Sequence, residues 1–250
     1  GDGISEDGTE GARTDTIMVL HAPPSGPVAL ISLPRDTYAE IPGNGSGKLN
    51  SAYSWGGPAL LVQTVEQLTG LTVDHYVEIG FGGVEGIVDA VGGVELCLDY
   101  DVDDPKSELV WTAGCHTADG HTALAFSRMR YSDPQGDIGR AERQRQVIGA
   151  ISSQAANPSI LFRPGDQVSL LDSGLGALTV DEKTGIVDLG KLALAFRKAN
   201  GPDGITGTPP ISNPDFRPGG NLGSTVQLDP ATVGQFWVDI RDGNLPAGQV

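Results

Sequence analysis

The chain has 250 residues, of which 38% are hydrophobic and 19% charged, and a formal net charge of −16. That length can bury a full-sized core, and no stretch approaches the roughly 18 apolar residues of a membrane span. Such acidity argues against non-specific nucleic-acid binding, which needs a broad positive field, but it leaves room for a small anion beside a local arginine cluster within a Debye length of roughly 8 Å.

The chain opens on GDGISEDGTEGART, a polar, glycine-rich stretch without the charged and apolar regions of a signal peptide. A targeting or anchoring segment is therefore expected outside these residues, or not at all. TIMVL (16–20) and PVALISL (27–33) predict two strands separated by the turn segment APPSG. SAYSWGGPALLVQTVEQLTG predicts an amphipathic helix, with Leu60, Leu61, Val65 and Leu68 at helical spacing and Gly70 at the C′ position. VDHYVEI (73–79) alternates as a strand, FGGVEGIVDAVGG reads as a helix despite its glycines, and VELCL (94–98) is again a strand.

After the polar excursion DYDVDDPKSE, ADGHTALAFSRMR predicts a helix with Leu124 and Phe126 among its apolar residues. The turn YSDPQG follows, and Asp137 caps a second helix from about residue 138 to residue 155. Beyond Pro158 the pattern weakens. LGKLALAFRKAN (189–200) predicts a helix, while ITGTPPI and STVQLDP read as strand pieces bracketing the loop SNPDFRPGGNLG. Strands alternating with helices predict an α/β sandwich with a central mixed sheet. With no internal repeat and no low-complexity linker, the expectation is one domain over residues 1–250.

Several chemistries are weakly supported. The two cysteines, Cys97 and Cys115, form no C-x-x-C pair, so a thiolate zinc site is disfavoured. They read either as a disulfide closing a short loop in an exported protein or as two buried thiols. GNGSGKLN lacks the Gly-x4-Gly-Lys-Ser/Thr of a phosphate-binding loop, because Pro42 and Leu49 stand at required positions. No Gly-x-Ser-x-Gly elbow occurs. The histidines (His21, His75, His116, His121) lack zinc-protease spacing and read as surface or satisfied side chains, although His21 ends a strand near charged motifs.

The basic residues are unevenly spread. Arg128, Arg130, Arg140, Arg143 and Arg145 are five of eleven arginines, while the first 126 residues hold only Arg13, Arg35, Lys48 and Lys106 as basic side chains. RTDT (13–16) precedes the first strand, PRDT (34–37) follows the second, and KLNSAY (48–53) leads into the first long helix. Each of the first two motifs alone reads as a surface ion pair, worth little. The third cluster alters the balance: Asp137, Arg140 and Gln144 fall close to one helix face. Arginines near a helix N-terminus oppose the macrodipole and call for an anion, either Asp137 or a ligand. Arg143 and Arg145 fall elsewhere on that helix, and at least one is expected to be solvated surface. Guanidinium forks with two aspartates suit a pyrophosphate and a hard divalent cation.

RTDTIMVLH, ISLPRDTY, KLNSAY, YVEIGFGGVEGIVDAVGGVEL and AFSRMRYSDPQGDIGRAERQRQVI occur in that order and spacing. This succession resembles the LytR-CpsA-Psr family of bacterial cell-wall glycopolymer ligases, over roughly residues 11–155, with a more variable part at 156–250. The resemblance implies an extracytoplasmic, monomeric phosphotransferase, normally tethered by an N-terminal membrane helix. It implies transfer of a glycopolymer from a polyprenyl-pyrophosphate carrier to a muramic acid hydroxyl of peptidoglycan, forming a phosphodiester. Matched motif to motif, Arg13, Arg35, Lys48, Arg128, Arg130, Arg140 and Gln144 are implied pyrophosphate ligands. Asp15 and Asp36 are implied Mg2+ (or Mn2+) ligands or the general base, and Asp137 orients the neighbouring arginines. Arg35 and Arg140, with the two aspartates, are the expected catalytic set. A family Gly-x-Asp upstream of RTDT has only Gly1-Asp2 near its place. A composition rich in Ala, Gly and Asp, with the paired cysteines, suggests an actinobacterial member of the family, and the resemblance then implies arabinogalactan as donor. The alternatives are a pyrophosphatase releasing the glycan phosphate to water, and a non-catalytic polymer-binding or regulatory protein.

Overall fold

The computed structural model describes residues 16–129, 132–133, 137–155 and 178–250. In chain order come β1 (Ile17–His21), β2 (Ala29–Leu33), β3 (Tyr38–Ile41), β4 (Gly45–Lys48), α1 (Leu49–Thr69), β5 (Val77–Ile79) and α2 (Phe81–Ala90). Then follow β6 (Val94–Leu98), β7 (Val102–Asp104), β8 (Leu109–Trp111), β9 (Gly114–Ala118), α3 (Gly120–Arg128) and α4 (Asp137–Ala155). The last elements are β10 (Leu178–Val180), α5 (Ile186–Ala199), β11 (Ile205–Gly207), β12 (Ile211–Phe216), β13 (Thr225–Leu228), α6 (Val233–Asp242) and β14 (Gly248–Gln249). Backbone contacts divide the chain into two compact units, Gly1–Tyr76 with Lys198–Val250 and Val77–Arg197.

The first unit holds the expected mixed sheet, in the order β1-β2-β11-β14. β1 and β2 are antiparallel, whereas β11 runs parallel to both β2 and β14. All five residues of β2 are buried, which is why ALISL is a nearly unbroken apolar run. Ala29, Ile31 and Leu33 share one core with Leu61 and Val65 of α1 and Phe236, Trp237 and Ile240 of α6. α1 kinks at Gly56 and Gly57, where φ is −147° and 64°, just before Pro58. It stops as predicted at Gly70, whose φ of 69° lets its amide reach the Glu66 carbonyl at 2.8 Å.

In the second unit β6 and β9 form an antiparallel ladder, and their core gathers Val88 of α2, Leu96, Trp111, Phe126 of α3, Met129 and Val147 of α4. Cys97 lies opposite Cys115 in this register and the two form a disulfide, the first of the two alternatives left open by the sequence.

The α/β class with a mixed sheet is thus observed, but several elements differ from the sequence expectation. GNGSGKLN belongs to the β3–β4 hairpin and the start of α1, with Gly43 and Gly45 at φ 75° and 77° making the turn. The excursion DYDVDDPKSE carries the start of a second hairpin, β7–β8, whose three-residue strands are too short to show alternation. Only Val77–Ile79 of VDHYVEI is a strand, β12 absorbs the start of the predicted loop, and α6 had no counterpart.

Candidate active site

In the first unit, PRDT is a tight turn closed by Thr37, whose amide and hydroxyl both donate to the Pro34 carbonyl at 3.0 and 2.7 Å. That turn also finishes the N-terminus of α1. Leu49 N donates to Thr37 O at 2.9 Å and Asn50 N to Arg35 O at 3.0 Å, so two orphan amides of the first turn are satisfied by backbone. No side chain caps the helix, because none is needed at those two amides. The consequence is that Arg35, Asp36 and Lys48 come together. Lys48 Nζ lies 2.8 Å from Asp36 Oδ1, and Arg35 Nε lies 3.7 Å from Asp36 Oδ2. All three side chains keep between 27% and 31% exposure, so they are held in place yet open to a ligand.

The hairpin β12–β13 is hooked to the same turn. Val226 N donates to Asp36 O at 2.9 Å, Thr37 and Val226 form a parallel bridge, and the Phe216 ring meets Tyr38 edge-on at 5.4 Å. Sequence reading missed this support, since the partners are some 190 positions apart.

In the second unit, α3 starts on Asp119, whose Oδ1 accepts from Thr122 N at 2.8 Å; the Thr122 hydrogen bonds hold the Asp119 carboxyl below its ordinary pKa. The helix ends on Arg128, which is half-buried, as are Arg140 and Gln144 on α4. Gln144 Nε2 sits 3.5 Å from the Ser127 carbonyl, so part of its donor capacity already leans on the end of α3. The expectation of a solvated Arg143 or Arg145 is wrong: they are 5% and 7% exposed. Arg143 is consumed by α3, donating from Nε to Phe126 O at 3.1 Å and from a terminal nitrogen to Met129 O, and it pairs with Asp133. Burial pushes the Arg145 guanidinium down, with nearby Glu142 opposing. One cue was present in the sequence: α3 has no glycine or asparagine at its end, so its last carbonyls need another donor.

His21 Nε2 reaches the Arg241 carbonyl at 3.1 Å and His116 Nε2 the Thr112 carbonyl at 2.9 Å, so both are satisfied histidines, as expected. Arg13, Asp15 and Arg130 lie outside the described residues, as does the side chain of Asp137, the first residue of α4. Among the described residues no three metal-binding side chains converge. Asp36 fits a hard cation as a single ligand: it is partly exposed, and its Oδ2 is only loosely engaged by Arg35.

A family model described as the LytR_cpsA_psr family matches residues 2–199. A Corynebacterium glutamicum protein named "Probable cell wall biosynthesis protein LcpB" is 45% identical over 201 residues, covering 80% of this chain and 47% of that protein. A Bacillus cereus protein named polyisoprenyl-teichoic acid–peptidoglycan teichoic acid transferase TagU is 38% identical over 183 residues, covering 72% of this chain and 60% of that one. Among solved structures, an Enterococcus faecalis protein described as a transcriptional regulator is 27% identical with a TM-score of 0.74, covering 93% of this chain and 84% of that one. The chain thus spans about half to three-fifths of the length of these two curated relatives.

Proposed function

Since the chain belongs to the LytR-CpsA-Psr family, we propose that it is a cell-envelope phosphotransferase that moves a glycopolymer from a polyprenyl-pyrophosphate carrier to peptidoglycan. The observation that carries this reading is the family match over residues 2–199, within which the gathered Arg35, Asp36 and Lys48 fall. In a protein of net charge −16, half-buried cations held by backbone geometry suit a ligand with concentrated negative charge. The teichoic acid transferase name of the Bacillus relative supports the reaction class. Arabinogalactan as the polymer is carried by the resemblance to actinobacterial family members alone; the corynebacterial relative's name says only cell wall biosynthesis. The work takes place at the extracytoplasmic face of the membrane; among the described residues no helix is long and apolar enough to cross one.

Arg35, Lys48, Arg128, Arg140 and Gln144, with Arg13 and Arg130, bind the pyrophosphate oxygens. Before substrate arrives, Asp36 serves as the counter-charge that keeps Lys48 and Arg35 in place. A muramic acid hydroxyl forms a bond to the phosphorus nearer the glycan, and the bond from that phosphorus to the bridging oxygen breaks. The hydroxyl proton goes to Asp15 or Asp36, and polyprenyl monophosphate leaves. Mg2+, held by Asp36 and Asp15, would neutralise charge on the phosphoryl oxygens.

The test is incubation with a synthetic polyprenyl-pyrophosphoryl glycan, Mg2+ and a peptidoglycan oligomer, followed by mass spectrometry. Joined glycan and carrier monophosphate in equal amounts are expected. Carrier monophosphate without joined product would instead identify a pyrophosphatase. No turnover would favour a non-catalytic polymer-binding or regulatory protein; the Enterococcus structure is described as a transcriptional regulator.

A further inference from the structure

Arg143 stands one turn after Arg140 on α4, and the reaction outlined above gives it no contact with substrate. Its guanidinium is spent inside the second unit. Nε and one terminal nitrogen donate to the carbonyls of Phe126 and Met129, and the other pairs with Asp133, with both side chains at most 5% exposed. Asp133 also accepts the Tyr100 hydroxyl, whose pKa is raised by burial first and by the Asp133 charge second. One cation therefore ties together the end of α3, the segment after it, α4 and the residues following β6.

The two carbonyls it holds bracket Arg128. α3 ends there without a left-handed cap: Met129 is extended, at φ −54° and ψ 131°. A helix end of this kind leaves carbonyls to satisfy, and a cation at a helix C-terminus does so with the dipole in its favour. The adjacent Gln144 leans on the carbonyl between them, that of Ser127. The backbone on either side of Arg128 is thereby fixed by side chains of α4.

We propose that Arg143 is a positioning residue: with Asp133 and Tyr100 it fixes the backbone that presents Arg128 to the pyrophosphate, without touching the substrate itself. The proposal rests on the pyrophosphate reading above. A lysine keeps the charge but cannot reach three acceptors from a planar fork, so the conservative exchange does not rescue.

The probe is geranyl pyrophosphate, titrated calorimetrically at a temperature where circular dichroism finds each variant folded. Arg143→Lys is expected to bind at least ~10-fold more weakly, and Tyr100→Phe, which removes one hydroxyl from the clamp, about threefold more weakly. The phosphorus resonances of the bound probe shift in both. Lys191→Ala, which removes a 72% exposed side chain on α5, binds as the wild type does. Variants that bind like the wild type, or lose affinity only in proportion to the fraction unfolded, overturn the proposal and leave Arg143 a structural anchor. If Arg143→Lys does not fold, Tyr100→Phe decides alone. Wild-type protein that fails to bind the probe overturns the pyrophosphate reading itself.

Discussion

Gln146 grips Cys97 by both of its backbone polar groups: Nε2 donates to the Cys97 carbonyl at 3.2 Å, and Oε1 accepts from the Cys97 amide at 3.1 Å. Cys97 is directly opposite Cys115, and its polar groups turn away from that partner, as at a non-hydrogen-bonded pair of an antiparallel ladder. The side-chain amide of α4 thus occupies the place a third strand would take at the edge of β6. Gln146→Ala should lower stability by only about 1 kcal/mol, because water can reach the vacated groups. Gln146→Glu should cost more, since a carboxylate cannot donate to the Cys97 carbonyl. Thermal melts of the two variants check the order.

The disulfide at the same point closes a loop with a sequence separation of 18. Loop-closure entropy then makes its removal worth about 3 kcal/mol. Replacing both cysteines by serine should reduce the urea midpoint accordingly. A dithiol reductant should move the wild type to that midpoint and leave the double variant unchanged. A wild type insensitive to reductant under full thiol release would show that the ladder, and not the bond, holds β6 to β9.

What could be read from the sequence was what depends on local pattern. β1, β2 and α1 carry clear periodicity, and Gly70 marks a helix end. Arg35, Asp36 and Lys48 were legible as charge clusters at element ends. Their convergence was not, because it depends on Leu49 and Asn50 donating back to the PRDT turn. The misreading of Arg143 has the same origin. A helix position specifies which face a side chain leaves from, but the acceptors that bury this guanidinium belong to another helix and a loop. Short hairpins such as β7–β8 escaped because three residues give no period to detect.

Asp119 makes the start of α3 sensitive to acid. Its carboxyl is held below the ordinary value by the Thr122 hydrogen bonds, so the folded state prefers the ionised form. The sign follows: the contribution is fully present above about pH 4, the unfolded value, and is lost as pH falls through the lower folded value. Asp119→Ala should therefore be less stable than the wild type at neutral pH, and the two should converge once pH falls below the depressed folded value. Denaturation midpoints measured across that window check it; a constant gap would mean the cap acts through packing alone.

Lys48 and Arg140 separate binding from folding. The Lys48–Asp36 pair keeps more than a quarter of each side chain exposed, so its stability contribution is at most about 1 kcal/mol. Lys48→Met should thus melt within a few degrees of the wild type, and so should Arg140→Ala on its half-buried position. Turnover of the lipid-linked glycan should nevertheless fall by about 100-fold in each, the usual consequence of removing one donor from a developing phosphoryl charge. Near-normal turnover in either variant would remove that residue from the site. Asp36→Asn then distinguishes counter-charge from chemistry. If Asp36 only holds Lys48 and Arg35, affinity for geranyl pyrophosphate and turnover fall together. If it accepts the hydroxyl proton, affinity survives or rises while turnover is lost.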